Sequence, residues 1–133
     1  MKLATFVLAV LALMTLTACR DSDEDIQADA CTELNELQAS VAALTALGPT
    51  STVEQYKDAA KQVHESAQDA ARAVRRVADE RAEELRDAEE NLDDAVDDVD
   101  DDQTAVGALA QIQSQIAAVT SAREQMTASL NCR

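Results

Sequence analysis

Apolar residues recur every three or four positions through three stretches of the chain, as expected for helices that bury one face. The first stretch covers residues 31–47, and its apolar positions are Leu34, Leu37, Val41 and Leu44. Gly48 and Pro49 follow it. This pair ends a helix because glycine suits the C-terminal cap and proline cannot continue the hydrogen-bond ladder. The pattern predicts a first helix over 31–47, which residues 22–30 can extend at its start.

The second stretch is the longest, and its apolar positions repeat in a heptad rhythm that shifts phase after Val77. They are Val53, Tyr56, Ala60, Val63, Ala67, Ala70, Val74 and Val77, and then Arg81 or Ala82, Leu85, Ala88, Leu92, Ala95 or Val96, and Val99. The shift inserts about four residues, a stutter that locally unwinds a coiled coil. Neither glycine nor proline occurs from Thr50 through Thr104. The pattern predicts one helix of roughly 48 residues, about 70 Å long at 1.5 Å per residue.

The third stretch opens after Asp102, where Asp101 or Asp102 can cap the start of a helix. Its apolar positions are Leu109, Ile112, Ile116, Val119, Met126 and Leu130, interrupted at Arg123, beside which Ala122 can cover the gap. The three stretches together predict an all-α protein. We expect an antiparallel helical hairpin, or coiled coil, of three helices, in which one long central helix packs against the two shorter ones laid end to end. The alternative is a compact three-helix bundle with the second stretch kinked near the stutter.

The composition narrows the class of protein. Asp and Glu total 26 against 11 Lys and Arg, which gives a formal net charge of −15. This acidic balance argues against nucleic-acid binding, which needs a basic face. The chain has two glycines, one proline and only Phe6 and Tyr56 as aromatic residues, whereas sheet proteins are rich in turn residues and in β-branched or aromatic strands.

The N-terminus has the pattern of a secretory signal: Lys2, an apolar run from Leu3 to Leu16, and small residues after it. The segment Leu16-Thr17-Ala18-Cys19 resembles the bacterial lipobox. That resemblance implies cleavage before Cys19, lipidation of Cys19, and attachment to the cell membrane or the outer membrane, facing outside the cytoplasm. The alternatives are an ordinary secretory signal with an incidental cysteine, or an uncleaved anchor helix. We expect a signal peptide over 1–18, an acidic tether over 19–30 and a helical coiled-coil domain over 31–133.

Two further cysteines, Cys31 and Cys132, remain if Cys19 carries lipid. In an oxidising compartment they are expected to form a disulfide. The loop that it closes spans nearly the whole domain, and in the chain-entropy model such a loop contributes on the order of 4–5 kcal/mol. The alternatives are a metal pair or two free thiols, although the chain has only one histidine, His64, and no cysteine cluster to support zinc.

Seven of the ten residues from Asp93 to Asp102 are aspartates. The oxygen ligands that this run offers suit Ca²⁺ or Mg²⁺, so it is a weak candidate metal site. The candidate ligands are Asp97, Asp98, Asp100, Asp101 and Asp102. The run lacks the alternate spacing, central glycine and final glutamate of an EF-hand loop. A solvated helix end and turn is therefore the preferred interpretation, and no cofactor is expected.

The remaining charged and polar residues form no recognisable catalytic motif, so we do not expect this protein to be an enzyme. Five arginines alternate with acidic residues at helical spacing, which is typical of surface ion pairs. They are Arg72, Arg75, Arg76, Arg81 and Arg86. His64 follows a core position, Val63, and is expected on the flank of its helix without a catalytic partner. The sequence contains neither a nucleophile-elbow motif nor a glycine-rich phosphate loop.

The chain also resembles small helical envelope lipoproteins of actinobacteria, which have no settled activity. The matching residues are Cys31, Leu34, Leu37, Ser40, Val41, Leu44 and Cys132. Together with the lipobox, the resemblance implies a lipid-anchored coiled-coil protein of the cell envelope, acting as a structural spacer or a protein-interaction adaptor. Its partners are expected to be the membrane, another protein, or a second copy bound through a helix face. The alternative is an acidic surface module that binds divalent cations or a basic partner.

Overall fold

The computed structural model describes the backbone of residues 17–133 and the side chains from Asp23 onward. Four helices follow one another: α1 (Thr17–Thr45), α2 (Val53–Arg75), α3 (Asp79–Asp97) and α4 (Ala105–Ser129). No strand occurs within residues 17–133, so the all-α prediction is confirmed. The predicted count of three helices is wrong. Nearly all of the predicted signal peptide lies outside the described residues, and so does the side chain of Cys19.

The long second stretch is two helices rather than one, and the chain reverses direction at Arg76, Val77 and Ala78. The two halves run antiparallel, because Arg75 lies 3.6 Å from Asp79 at one end of the pair and Lys57 contacts Asp101 at 2.6 Å at the other. The reversal falls at the stutter, where one continuous helix would present its two apolar stripes in different directions. Folding back lets the two stripes bury each other within the same chain.

Each helix packs against its neighbours in sequence, and α4 also packs against α1. Helix α2 contacts α4 across the core, whereas α1 and α3 do not meet. This arrangement is an antiparallel four-helix bundle with up-down-up-down topology. It is closer to the compact alternative than to the predicted hairpin, and none of the four helices described above approaches the predicted length of 70 Å.

The core contains most of the apolar positions predicted from the heptad rhythm. The largest fully buried side chains are Tyr56, Leu34, Leu37, Leu44, Leu85, Leu92, Ile112, Met126, Val63, Val74 and Val119. Val77 is an exception: it was predicted in the core but is 41% exposed at the chain reversal. Alanines fill many of the remaining core positions, which lets the helices approach one another closely.

Cys31 and Cys132 form a disulfide, with their Cα atoms 5.4 Å apart across a sequence separation of 101 residues. Asn131, just before Cys132, has a positive φ of 53°, a conformation that often ends a helix and that asparagine tolerates. The bond joins the middle of α1 to the residues after α4. We call this the disulfide end of the bundle, which also holds the reversal at 76–78; the loops at 46–52 and 98–104 form the loop end.

The segment predicted as an acidic tether, 19–30, is helical and belongs to α1. Ala30 is fully buried, and Asp29 forms an ion pair with Arg76 at the start of the reversal. The helix therefore begins before residue 31. This start agrees with the prediction that residues 22–30 can extend the first helix. Among the described residues, no helix is both long and apolar enough to cross a membrane.

Candidate functional site

One charged side chain is buried in the described part of the chain, that of Glu89 on α3, which is 5% exposed. It lies four residues after Leu85 and three before Leu92, both core positions. Residues at these spacings share one face of a helix. The repeat that buries the two leucines therefore also turns Glu89 toward α2.

His64 of α2 meets this carboxylate. Its Nδ1 atom forms a close contact with Oε1 of Glu89, and these two buried atoms have no other hydrogen-bond partner in the described structure. On the other side of the ring, Nε2 lies 2.9 Å from the side-chain amide of Gln68. Asp93 lies further out, with Oδ1 3.7 Å from Nδ1. The arrangement is an acid–base pair across the α2–α3 interface, with a second carboxylate nearby.

Burial raises the pKa of Glu89 above its ordinary value of 4.5, because removing a carboxylate from water disfavours its charged form. His64 opposes the shift through its charge and its hydrogen bond, whereas the neighbouring acids Asp93 and Glu90 add to it. Desolvation is the largest of these effects. Glu89 is thus protonated more readily in the folded chain than in the unfolded chain.

The pair lines an open cavity of about 380 Å³ between α2 and α3. Its lining residues are His64, Gln68, Ala71, Arg72, Arg75, Arg86, Glu89, Glu90 and Asp93. This lining has no serine, threonine, cysteine or tyrosine to serve as a nucleophile. The site can therefore hold and exchange a proton.

The arginines near the cavity are engaged with acidic neighbours at the surface, as the charge pattern predicted. Arg72 pairs with Asp69, and Arg86 lies 3.7 Å from Glu83. Exposed pairs of this kind contribute about 0–1 kcal/mol each. These pairs place charges of both signs at the rim of the cavity.

The acidic run does not converge on a common point. Asp97 and Asp98 lie at the end of α3, and the next three aspartates follow in the loop to α4. All five candidate ligands are exposed. Asp101 is paired with Lys57, and this hydrogen bond and charge lower the pKa of Asp101. Across the described residues, no three His, Cys, Asp or Glu side chains form a group that could hold a metal ion.

Glu89 was not predicted as a site residue from the sequence, and no partner was predicted for His64. The only local signal was the position of Glu89 on the flank of the stripe formed by Leu85 and Leu92. The position of Glu89 points to His64 as its partner only when α2 and α3 are known to pack against each other. A single helix running through both segments would have kept His64 and Glu89 apart. Comparisons with protein-family models, curated proteins and solved structures found no match to this chain.

Proposed function

We propose that this chain is a lipid-anchored protein of the bacterial cell envelope whose helical bundle serves as an adaptor for protein contacts. The observation that carries the proposal is the lipobox Leu16-Thr17-Ala18-Cys19. Among the described residues, the acidic run does not converge into a cation site, so the alternative of an acidic cation-binding module has less support.

The fold is suited to holding a folded surface at a short, defined distance from a membrane. Helix α1 starts at Thr17 and continues into the bundle, where Ala30 is the first buried residue from Asp23 onward. An acylated Cys19 would therefore lie next to the disulfide end, and the loop end would point away. The longest helix that lies wholly within the bundle has 25 residues, or about 38 Å at 1.5 Å per residue. This reach suits an adaptor better than a long spacer.

The experiment is metabolic labelling with a clickable fatty acid in a bacterial host that processes lipoproteins. We expect the full chain to incorporate the label and the Cys19→Ser variant to lose it. The double variant Cys31→Ser with Cys132→Ser is the matched control, because it removes two cysteines and should keep the label. Mass spectrometry of the N-terminal peptide should find Cys19 as the first residue and carrying acyl chains. An unlabelled wild-type chain, or a mature chain that begins elsewhere, would disprove the anchor.

A further inference from the structure

The charged residues that line the α2–α3 cavity are separated by sign along its length. Arg75 ends α2, and Arg86 lies in the first half of α3, so both are on the side of the disulfide end. Glu89 and Asp93 follow Arg86 toward the loop end, and Asp93 is seven residues away from it. Seven residues of helix span about 10 Å. The cavity therefore has a basic end, Arg75 and Arg86, and an acidic end, Glu89 and Asp93.

The two arginines of the basic end are held only loosely by carboxylates. Nε of Arg75 lies 3.6 Å from Oδ1 of Asp79, and Nη2 of Arg75 lies 4.0 Å from Oε1 of Glu83. Nη1 of Arg86 lies 3.7 Å from the same oxygen of Glu83. A charge-assisted hydrogen bond is shorter, about 2.7–2.9 Å. Two guanidinium groups from different helices thus approach one point without a carboxylate at hydrogen-bond distance from either.

The acidic end contains a deeply buried carboxylate. Glu89 is 5% exposed, and its Oε1 atom has only Nδ1 of His64 beside it. Burying a carboxylate costs free energy unless a positive charge lies next to it, and His64 supplies that charge only when it is protonated. Asp93 lies 3.7 Å from the same ring nitrogen on the solvent side. An ammonium group, which is charged at neutral pH, would satisfy both carboxylates at this end.

The two ends together disfavour a ligand with only one kind of charge. The lining contains three arginines and three acidic residues, because Arg72 adds to the basic end and Glu90 to the acidic end. A simple anion would meet the carboxylates and the net charge of −15 of the whole chain, and a simple cation would meet the arginines. A ligand with an anionic group at one end and a cationic group at the other is complementary to both.

We propose that the α2–α3 cavity is a binding site for a short linear zwitterion, a peptide of two or three residues with free termini. Its carboxylate lies between Arg75 and Arg86, and its ammonium group lies between Glu89 and Asp93. An extended peptide covers about 3.3–3.6 Å per residue, so three residues match the separation of the two ends. A single amino acid carries its two charges too close together to reach both.

The size and openness of the cavity fit such a ligand. Its volume of about 380 Å³ lies in the range of roughly 300–1,000 Å³ that is usual for small-molecule sites. Both arginines and Asp93 are exposed, and exposed charge pairs contribute little each. We therefore expect weak binding that depends on both termini, with Glu89 as the one deeply buried contact.

The first test is calorimetric titration of the full-length protein, kept in a non-ionic detergent, with trialanine. Two matched ligands each remove one charge: N-acetyl-trialanine lacks the ammonium group, and trialanine amide lacks the carboxylate. We expect a dissociation constant of about 1 mM or lower for trialanine, and at least tenfold weaker binding of each capped ligand and of free alanine. Absence of trialanine binding, or equal binding of a capped ligand, would overturn the proposal.

The second test assigns each terminus to its end of the cavity. Arg86→Gln should weaken trialanine at least fivefold and leave trialanine amide unchanged, because the amide has no carboxylate to lose. Asp93→Asn should weaken trialanine and leave N-acetyl-trialanine unchanged. Each comparison is a double-mutant cycle between a residue and a ligand group. Arg81→Gln, at an exposed position of α3 outside the cavity, is the matched control and should change none of these affinities.

The substituted residues Arg81, Arg86 and Asp93 are exposed, so the three variants are expected to keep the helical circular dichroism of the wild-type chain. Equal weakening of capped and uncapped ligands by Arg86→Gln or Asp93→Asn would overturn the assignment of the termini. An effect of Arg81→Gln as large as that of Arg86→Gln would overturn the site. The site does not depend on the proposed lipid anchor, since a failed titration leaves the fatty-acid label at Cys19 in place.

Discussion

The α2–α3 pair and the α1–α4 pair are held together by different interactions. Helices α2 and α3 are joined by three residues, their interface contains the buried Glu89–His64 pair, and their surfaces are highly charged. Helices α1 and α4 are far apart in sequence, are linked by the Cys31–Cys132 bond and carry no charged residue over 37–45 and 105–122. Bringing distant segments together costs more chain entropy than closing a short turn. The covalent bond therefore lies where the loop is longest.

The polar contacts within the two helix pairs also differ in kind. Between α1 and α4, Arg123 donates to the carbonyl of Leu34 at 3.0 Å, and Gln27 donates to the carbonyl of Leu130. These bonds pair side chains with the main chain and bury no carboxylate. Between α2 and α3, a carboxylate is buried against a titratable base. We therefore expect the α1–α4 pair to respond mainly to redox conditions and the α2–α3 pair to respond to pH.

The largest effect is expected from removing the disulfide. The double variant Cys31→Ser with Cys132→Ser should lose on the order of 4–5 kcal/mol of unfolding free energy, because the unfolded chain regains the freedom of a very long loop. Urea unfolding followed by circular dichroism measures the change. Treating the wild-type chain with a reductant should give the same midpoint as the double variant. A loss below about 1 kcal/mol would mean that the loop entropy does not determine the stability of the α1–α4 pair.

The next largest effect is expected at the buried pair. His64→Ala leaves the Glu89 carboxylate buried without its base and should cost about 1–3 kcal/mol. Glu89→Gln introduced into the His64→Ala chain should then cost little or restore stability, since it removes the unpaired charge. A double-mutant cycle isolates this coupling. Glu84→Gln is the control, because Glu84 is exposed and lies outside the cavity, so its replacement should change stability by less than about 0.5 kcal/mol.

The buried carboxylate also predicts the direction of a pH effect. Because the folded pKa of Glu89 is raised above 4.5, its contribution to stability is complete below 4.5 and is lost as the pH rises through the raised value. The comparison is cleanest between His64→Ala and His64→Ala with Glu89→Gln, since neither variant has the histidine that lowers this pKa. The first variant should gain stability relative to the second as the pH falls toward 4.5. A pH-independent difference would show that Glu89 is hydrated in the folded chain.

The periodic core was largely predictable from sequence because burial repeats at helical spacing. Leu34, Leu85 and Ile112 lie where their spacing predicted, and the cysteine count led to the pairing of Cys31 with Cys132. The reversal was missed because Arg76, Val77 and Ala78 include neither glycine nor proline. Only the stutter marked this point, and a stutter is compatible with a continuous helix. Tertiary burial favours the reversal over a continuous helix, because the reversal brings the two apolar stripes together.

The candidate site was less predictable than the core because it depends on that reversal. His64 and Glu89 are 25 positions apart in the printed sequence, and neither belongs to a motif. Their meeting follows from antiparallel packing of α2 on α3.

The smallest effect tests the reversal itself. Ala78 is the N-cap residue of α3 and makes no side-chain capping bond, whereas Thr52 caps α2 through a complete capping box with Gln55. Ala78→Ser should add a hydroxyl acceptor for a free N–H group of the first turn and stabilise the fold by about 1 kcal/mol. Thr52→Ala should destabilise it by a similar amount, as the control of opposite sign. If residues 53–100 formed one helix, serine at position 78 would lie mid-helix and would cost a few tenths of a kcal/mol, about 0.5. The sign of the change in urea midpoint for Ala78→Ser therefore distinguishes a capped turn from a continuous helix.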